Sequence, residues 1–253
     1  MTGTVSMLIV AGFGLVAGIG ITAVGPGGVL VTVGLFLTSG LSPAEVAGTA
    51  IVTHLATGGL GSVAYHRSGQ LRHPATRRVA VIVAITAAAG TPVGVFINSV
   101  APGQLFGVLL VALLLIVASL VWFRSPRWPV EEAHPHLRPA LLICMGLGIA
   151  IVGGMFGVGG PLLTVPLLVL AGTPVLSALG AAQAQSIVVA GVGTLSYLGR
   201  GTIDWRVALL AGVPELCGVL IGWKIAHAVT PRTLTRVMIV ALVASAGLVA
   251  IHG

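Results

Sequence analysis

The sequence predicts an all-α, polytopic membrane helix bundle of two inverted-topology repeats, each carrying a glycine-broken segment that is either a half-helix or re-entrant. Three observations predict it. Hydrophobic residues fill 57% of the 253 positions and charged residues only 7%, against about a quarter charged in an ordinary soluble domain. Apolar stretches long enough to cross roughly 30 Å of hydrocarbon as helices recur along the chain, while the short segments of alternating polarity that a membrane barrel needs do not appear. Finally, Gly25-Pro26-Gly27-Gly28-Val29-Leu30-Val31-Thr32-Val33-Gly34-Leu35 returns 132 positions later (157 − 25) as Gly157-Val158-Gly159-Gly160-Pro161-Leu162-Leu163-Thr164-Val165-Pro166-Leu167. In so hydrophobic a chain, a duplicated glycine break points to a transporter made of two halves with a broken helix in each.

In order along the chain, apolar helices are expected near 5–24, 29–40, 43–65, 78–98 and 103–123, and again near 139–156, 161–172, 176–198, 206–228 and 233–252. Met1 to Met7 lack the basic start of a signal peptide, and the first segment has a counterpart in the second half, so it is expected to be retained. The segments 29–40 and 161–172 are about a dozen residues, roughly 18 Å of helix, too short to span. Each either turns back to the side it came from or joins another short piece end to end; both arrangements leave an odd number of crossings per half, which predicts inversion. The polar stretch from Arg124 to Arg138, with Pro126, Pro129, Glu131, Glu132 and Pro135, is read as a cytoplasmic linker (124–138) between a first membrane repeat (1–123) and a second (139–253).

The two halves align without a gap from Gly14–Gly69 to Gly146–Gly201, pairing Leu15 with Leu147, Gly40 with Gly172, Gly48 with Gly180, Gly61 with Gly193 and Tyr65 with Tyr197. After a shorter loop the register returns, with Gly90 and Gly94 against Gly218 and Gly222, and Pro102 and Leu105 against Pro231 and Leu234. Chance aligns apolar runs but seldom keeps glycines, a proline and a tyrosine in step.

The formal net charge of +7 sits in loops: Arg67, Arg72, Arg77 and Arg78 around one connection, Arg124, Arg127 and Arg138 around another. That is the mark of cytoplasmic loops, and no polar domain exists to offer nucleic acid a face. In the second half Arg200, Asp204 and Arg206 nearly balance while Lys224, Arg232 and Arg236 do not, so the basic side has switched loops. The positive-inside rule then places both termini outside the cell inner membrane. Cys144 and Cys217 lie in apolar segments without metal-ligand spacing and read as buried small hydrophobes.

A helix broken by glycine within a membrane frees backbone N–H groups that lipid cannot satisfy. If the half-helices starting near Val29 and Pro161 aim their N-termini at one place, unpaired amides and two positive dipole ends converge there and make an anion site from Gly25, Gly27, Gly28, Gly157, Gly159 and Gly160. Pro161 suits a first helical turn. The competing reading is that these glycines only let helices pack closely; the duplication, the proline and the short helix that follows favour the anion site.

The next helix of each half brings intramembrane polarity. Thr49, Thr53 and Thr57 recur every fourth residue on one stripe, with His54 beside Thr53; at the matching positions stand Gln185 and Ser186, with Gln183 a face away. These groups either bind an oxyanion and its water or hydrogen-bond neighbouring helices, and for His54, Gln183 and Gln185 the cost of burial favours function. Glu215, after Pro214, is a candidate proton-coupling carboxyl, unless the proline kinks it toward the interface. Lys224 is placed to snorkel from a helix end and Glu45 to serve a helix dipole. No Walker loop, His-Glu-x-x-His or cysteine pair is present, which predicts no enzyme, no metal and no cofactor.

A Gly-rich break, leucine, proline in the short helix, a Gly-x-x-Pro turn and a Gly-Thr or Gly-Ala helix together resemble the TauE/SafE family of sulfite exporter-like membrane permeases. The motifs stand at Gly25–Leu35, Gly40–Pro43 and Gly48-Thr49, and at Gly157–Leu167, Gly172-Thr173-Pro174 and Gly180; Tyr197–Ile203 and Gly218–Gly222 are also similar to that family, so the resemblance covers essentially the whole chain. It implies movement of sulfur-containing or organic anions such as sulfite, sulfonates, sulfoacetate or thiosulfate. The first half departs from the pattern, with Pro26 inside the glycine run and Gly34 where the second half has Pro166, so the anion is expected nearer the second break. The expected partners are a small anion and the bilayer, and a homo-oligomer is compatible with the sequence. The expectation is alternating access around the breaks; a passive anion channel and a non-transporting scaffold are the rivals.

Overall fold

A computed structural model describes residues 4–124 and 137–252. Among them the chain forms helices α1 (Thr4–Ala23), α2 (Val29–Thr38), α3 (Pro43–Arg67), α4 (Pro74–Val100), α5 (Gly103–Arg124), α6 (Pro139–Phe156), α7 (Pro161–Leu170), α8 (Val175–Leu198), α9 (Trp205–Ala228) and α10 (Pro231–His252), with a single 3-10 turn at Gln70–Arg72 and no described strand. The linker positions Pro126, Arg127, Pro129, Glu131, Glu132 and Pro135 lie outside the described residues. Seven of these helices, α1, α3, α4, α5, α6, α8 and α9, are long and apolar enough to cross a membrane.

Local chemistry sets the helix starts. Pro43, Pro74, Pro139, Pro161 and Pro231 open helices, where a missing N–H costs nothing and φ is already helical. At α3 the Ser42 hydroxyl accepts from the Glu45 N–H, and the Glu45 carboxylate accepts from the Ser42 N–H at 2.9 Å, so Glu45 completes a capping box. The Asp204 carboxylate accepts from the N–H groups of Arg206 (3.0 Å) and Val207 (3.1 Å) to cap α9.

Polarity is arranged inside out. Ile85, Val108 and Leu209 are 65–69% exposed, whereas Thr49, Gln183, Gln185 and Glu215 are wholly buried. An apolar exterior over a polar interior is what lipid as solvent demands. It also corrects one expectation, because Cys144 and Cys217 are both exposed. Thiols are apolar enough for either place, and an apolar run does not reveal which face of its helix meets the lipid.

Packing repeats between the halves. α1 lies along α9 and α6 along α4; α3 pairs with α8 and α5 with α10. Exchanging the halves (α1 with α6, α3 with α8, α4 with α9, α5 with α10) leaves this pattern unchanged. Glycines make the crossings. A Cβ at Gly218 or Gly222 of α9 would stand 2.3 Å from the carbonyl oxygen of Leu15 or Ile19 of α1, and one at Gly90 or Gly94 of α4 would stand 2.6 or 2.0 Å from that of Leu147 or Ile151 of α6. Backbone meets backbone there, the close approach that small residues permit in membranes. The aligned tyrosines also act alike: Tyr65 donates to the Thr22 carbonyl at 2.6 Å and Tyr197 to the Gly154 carbonyl at 2.7 Å.

Contacts at the two ends trace the path of each short helix. Met7, Ser39, Leu41, Asp204 and Arg206 line one hollow, so α1 starts and α2 finishes at the same end, where Asn98 at the close of α4 also donates to the Pro43 carbonyl at 3.4 Å. His73, Pro74, Leu137 and Leu142 share a hollow at the other end, where Gly180 faces Leu71 and Gln70. Leu170 of α7 lies beside Phe123 at the close of α5. α6–α7 therefore also enters and leaves at one end. Of the two paths open to the short helices, both turn back. Each has 10 residues, about 15 Å of helix or half the hydrocarbon depth.

A buried polar site where the two glycine breaks meet

The turns that send α2 and α7 back need glycine at particular points. Gly25 (φ +113°) and Gly157 (φ +69°) are left-handed, a conformation that a Cβ makes costly. A Cβ at Gly157 would also stand 2.1 Å from the Ala47 carbonyl oxygen of α3. One at Gly25 would meet Val165 and stand 3.1 Å from the Pro161 carbonyl oxygen. The first break is thus seated against the opening turn of α7, and the two breaks are neighbours.

His54 of α3 stands between them. A Cβ at Gly28 would lie 3.0 Å from its Cε1 and 3.3 Å from its Nε2, and one at Gly159 would lie 3.4 Å from its Cγ. The second break is closed from the other side by α8: a Cβ at Gly159 would be 2.6 Å from Ser186 Oγ, and one at Gly160 3.1 Å from Gln185 Oε1. His54 and Glu215 are 1% and 0% exposed, and His54 Nδ1 lies 3.0 Å from Glu215 Oε1, at ion-pair distance though without hydrogen-bond alignment. Glu215 is therefore buried in the bundle rather than kinked to an interface. Ten residues into α9, it sits about 15 Å from the helix start, and His54, eleven residues into α3, about 16 Å. Both positions are near the middle of their helices.

The helix N-termini at the breaks keep free donors. The first helical bonds run from the Leu30 and Val31 N–H groups to the Gly27 (3.0 Å) and Gly28 (3.2 Å) carbonyls, and from Thr164 N–H to the Gly160 carbonyl at 3.2 Å. Among the described residues, the amides ahead of them, at Gly27, Gly28, Gly159 and Gly160, donate no backbone hydrogen bond. Beside them, His54 Nε2, Gln185 Nε2 and Glu215 Oε2 are buried with no hydrogen-bond partner among the described residues. Unpaired buried polar atoms cost of order 1–3 kcal/mol each, and those of His54 and Gln185 lie beside helix N-termini, whose dipole ends are positive.

The other candidates from the sequence lie around this centre in different ways. Thr53 and Thr57 donate to carbonyls of their own helix, Ala50 at 2.9 Å and Thr53 at 3.3 Å. Thr49 accepts from the Asp204 N–H at 3.0 Å and so fastens the start of α9. Gln183 donates to the Ile21 carbonyl of α1 at 3.2 Å, leaving its Oε1 unpaired. Two threonines escaped sequence reasoning. Thr164 donates to Gln185 Oε1, orienting that amide so that its nitrogen is left over, and Thr32 donates to the Phe156 carbonyl at 3.1 Å, tying α2 to the second break. Their signal was their recurrence at matching places in the duplicated motif.

An apolar-coated helix bundle enclosing polar groups at broken helices is a multi-pass membrane protein of the transporter class. Residues 10–249 match the sulfite exporter TauE/SafE family, and the chain belongs to it. It is 25% identical to a probable membrane transporter protein of Sinorhizobium sp over 244 residues, 95% of this chain and 90% of that one. It is 29% identical to a probable membrane transporter protein of Xylella fastidiosa over 212 residues, 81% and 78% of the two chains. A third such protein, from Bacillus subtilis, is 24% identical over 206 residues, covering 79% and 82%. No solved structure matches the chain.

Proposed function

We propose that the protein carries a small anion, sulfur-containing or organic, across the cell inner membrane by alternating access, holding it where the α2 and α7 N-termini meet. The observation that carries this reading is His54 lodged between Gly28 and Gly159, its Nε2 unpaired and buried. The anion would take the amides of Gly27, Gly28, Gly159 and Gly160, with Gln185 and Ser186 shaping selectivity and Gly25 and Gly157 setting the turns. Thr49, Thr53 and Gln183 would hold the surrounding helices.

The reciprocal contacts of the halves support two repeats of opposite orientation rocking about the site, since the first repeat starts at the Asp204 end and the second at the Arg72 end. Arg67, Arg72, Arg77, Arg78 and Arg138 flank helix ends on the Arg72 side, which supports placing that side and the linker in the cytoplasm and both termini outside. Burial of His54, Gln185 and Ser186 to 2% exposure or less favours a carrier over an open channel, which needs a continuous wetted path.

Thermal stabilisation of purified protein by sulfite, thiosulfate, sulfonates and carboxylates tests the substrate class, because a ligand that prefers the folded state raises its apparent stability. One group of anions should stabilise and should exchange saturably in proteoliposomes. Conductance without saturable exchange would instead make the protein a channel, and no anion effect at all would leave a scaffold.

A further inference from the structure

An anion at the α2 N-terminus would have a carboxylate for a neighbour, across the ring of His54. Glu215 Oε1 lies 3.0 Å from Nδ1 of that imidazole, and Nε2 points to the break at Gly28. Among the described residues, no other Asp, Glu, Lys, Arg or His stands within two turns of either residue on its helix. Among the described residues α1, α2, α6, α7 and α8 carry no Asp, Glu, Lys, Arg or His. The other charged residues and histidines of α3 and α4, Glu45, His66, Arg67, Arg77 and Arg78, lie within five residues of a helix end, and on α9 the nearest, Arg206 and Lys224, are nine residues from Glu215 (215 − 206; 224 − 215).

The charge balance follows. Sharing a single proton, His54 and Glu215 sum to zero, whether written as imidazolium with carboxylate or imidazole with carboxyl. A monoanion added to that buried pair leaves a net negative charge where solvent cannot spread it, and places it close to a carboxylate. One more proton makes the pair imidazolium with neutral carboxyl, and the loaded site is then neutral. Resting on the anion site proposed above, we infer that His54 and Glu215 together are the proton-binding element of the transporter, so that anion and proton load and travel together. The proton comes from water on the side to which the site is open and is released to water with the anion on the other. His54 would donate to the anion through Nε2, while Glu215 would take the added proton.

The duplication supports this role. By the register of the halves, the position matching His54 is Ser186 (54 + 132) and the one matching Glu215 is Ala87 (215 − 128), both buried. The proton-binding groups therefore have no titratable counterpart in the other half, where Gln185 and Ser186 offer neutral donors.

Calorimetric titration of the wild-type protein with methanesulfonate or benzenesulfonate, monoanions whose charge does not change near neutral pH, tests the coupling. Runs in two buffers of different ionisation enthalpy count the protons taken up. Net proton uptake on binding is expected, with affinity falling by up to about tenfold per pH unit on the alkaline side. The double variant His54→Asn with Glu215→Gln should bind more weakly, through break amides and Gln185, and should take up no proton. Binding without proton uptake in the wild type would overturn the coupling and leave the anion site standing; so would undiminished uptake in the double variant. If neither anion binds, the sulfur-oxyanion reading fails and the coupling with it. Should the double variant not fold, the wild-type proton count decides, together with whether a pH gradient drives accumulation in proteoliposomes.

Discussion

At the scale of single residues, the proposed anion site gathers buried unpaired polar atoms, which a helix bundle ordinarily avoids. Gln185 is held by Thr164 through its oxygen, which leaves its nitrogen unpaired beside Gly160. Gln185→Leu should weaken anion binding by about tenfold, the value of a hydrogen bond of roughly 1.5 kcal/mol, while the melting temperature of the ligand-free protein changes little; unchanged affinity for every anion that binds the wild type would remove Gln185 from the site. Gly159→Val is expected to be harsher, because its Cβ alone would stand 2.6 Å from Ser186 Oγ. It should abolish anion-induced stabilisation in protein that still elutes as a folded species on gel filtration. The tyrosines are a different kind of residue. Tyr65→Phe and Tyr197→Phe each strip a helix carbonyl of its donor and should each lower stability by about 0.5–1.5 kcal/mol, read as parallel drops in melting temperature, with anion affinity preserved.

Elements are held by glycine contacts that come in matched pairs. Gly94 meets the Ile151 carbonyl as Gly222 meets that of Ile19, so a side chain at either forces two helix backbones apart. Gly94→Val and Gly222→Val should each destabilise by at least about 1–3 kcal/mol, as overpacking does, and by similar amounts; a fully stable Gly94→Val protein in detergent melting would show that α4 and α6 do not cross so closely. The broken segments obey a different rule. α2 and α7 are apolar and short, and their return paths are set by glycine turns and by seating against α1 and α8 rather than by propensity.

Across the whole molecule, basic residues gather at the end that holds the starts of α4 and α6. The proposed orientation can be read by labelling. In a background where Cys144 and Cys217 are replaced by alanine, a membrane-impermeant maleimide should label Arg200→Cys in intact cells and His66→Cys only after permeabilisation. The opposite pattern would reverse the orientation and with it the meaning of the basic end. Both probe positions are exposed.

Much of this protein was legible from the chain alone. Hydropathy marked every helix to within a few residues, because a membrane helix must be apolar along its length and the interruptions are glycine, proline and charge. The duplicated motif located the breaks, since a backbone that bends sharply leaves a glycine signature. Which face of each helix meets lipid was not legible, and so Cys144 and Cys217 were misplaced: with lipid outside, apolar residues suit both surfaces and periodicity fades. Nor could sequence decide that α2 and α7 turn back, or that His54 would meet Glu215, 161 positions away (215 − 54). Those depend on contacts between distant segments, on α1 seated against α9 and α3 beside α8, and only the packed bundle brings a histidine, a carboxyl and two helix N-termini to one buried point.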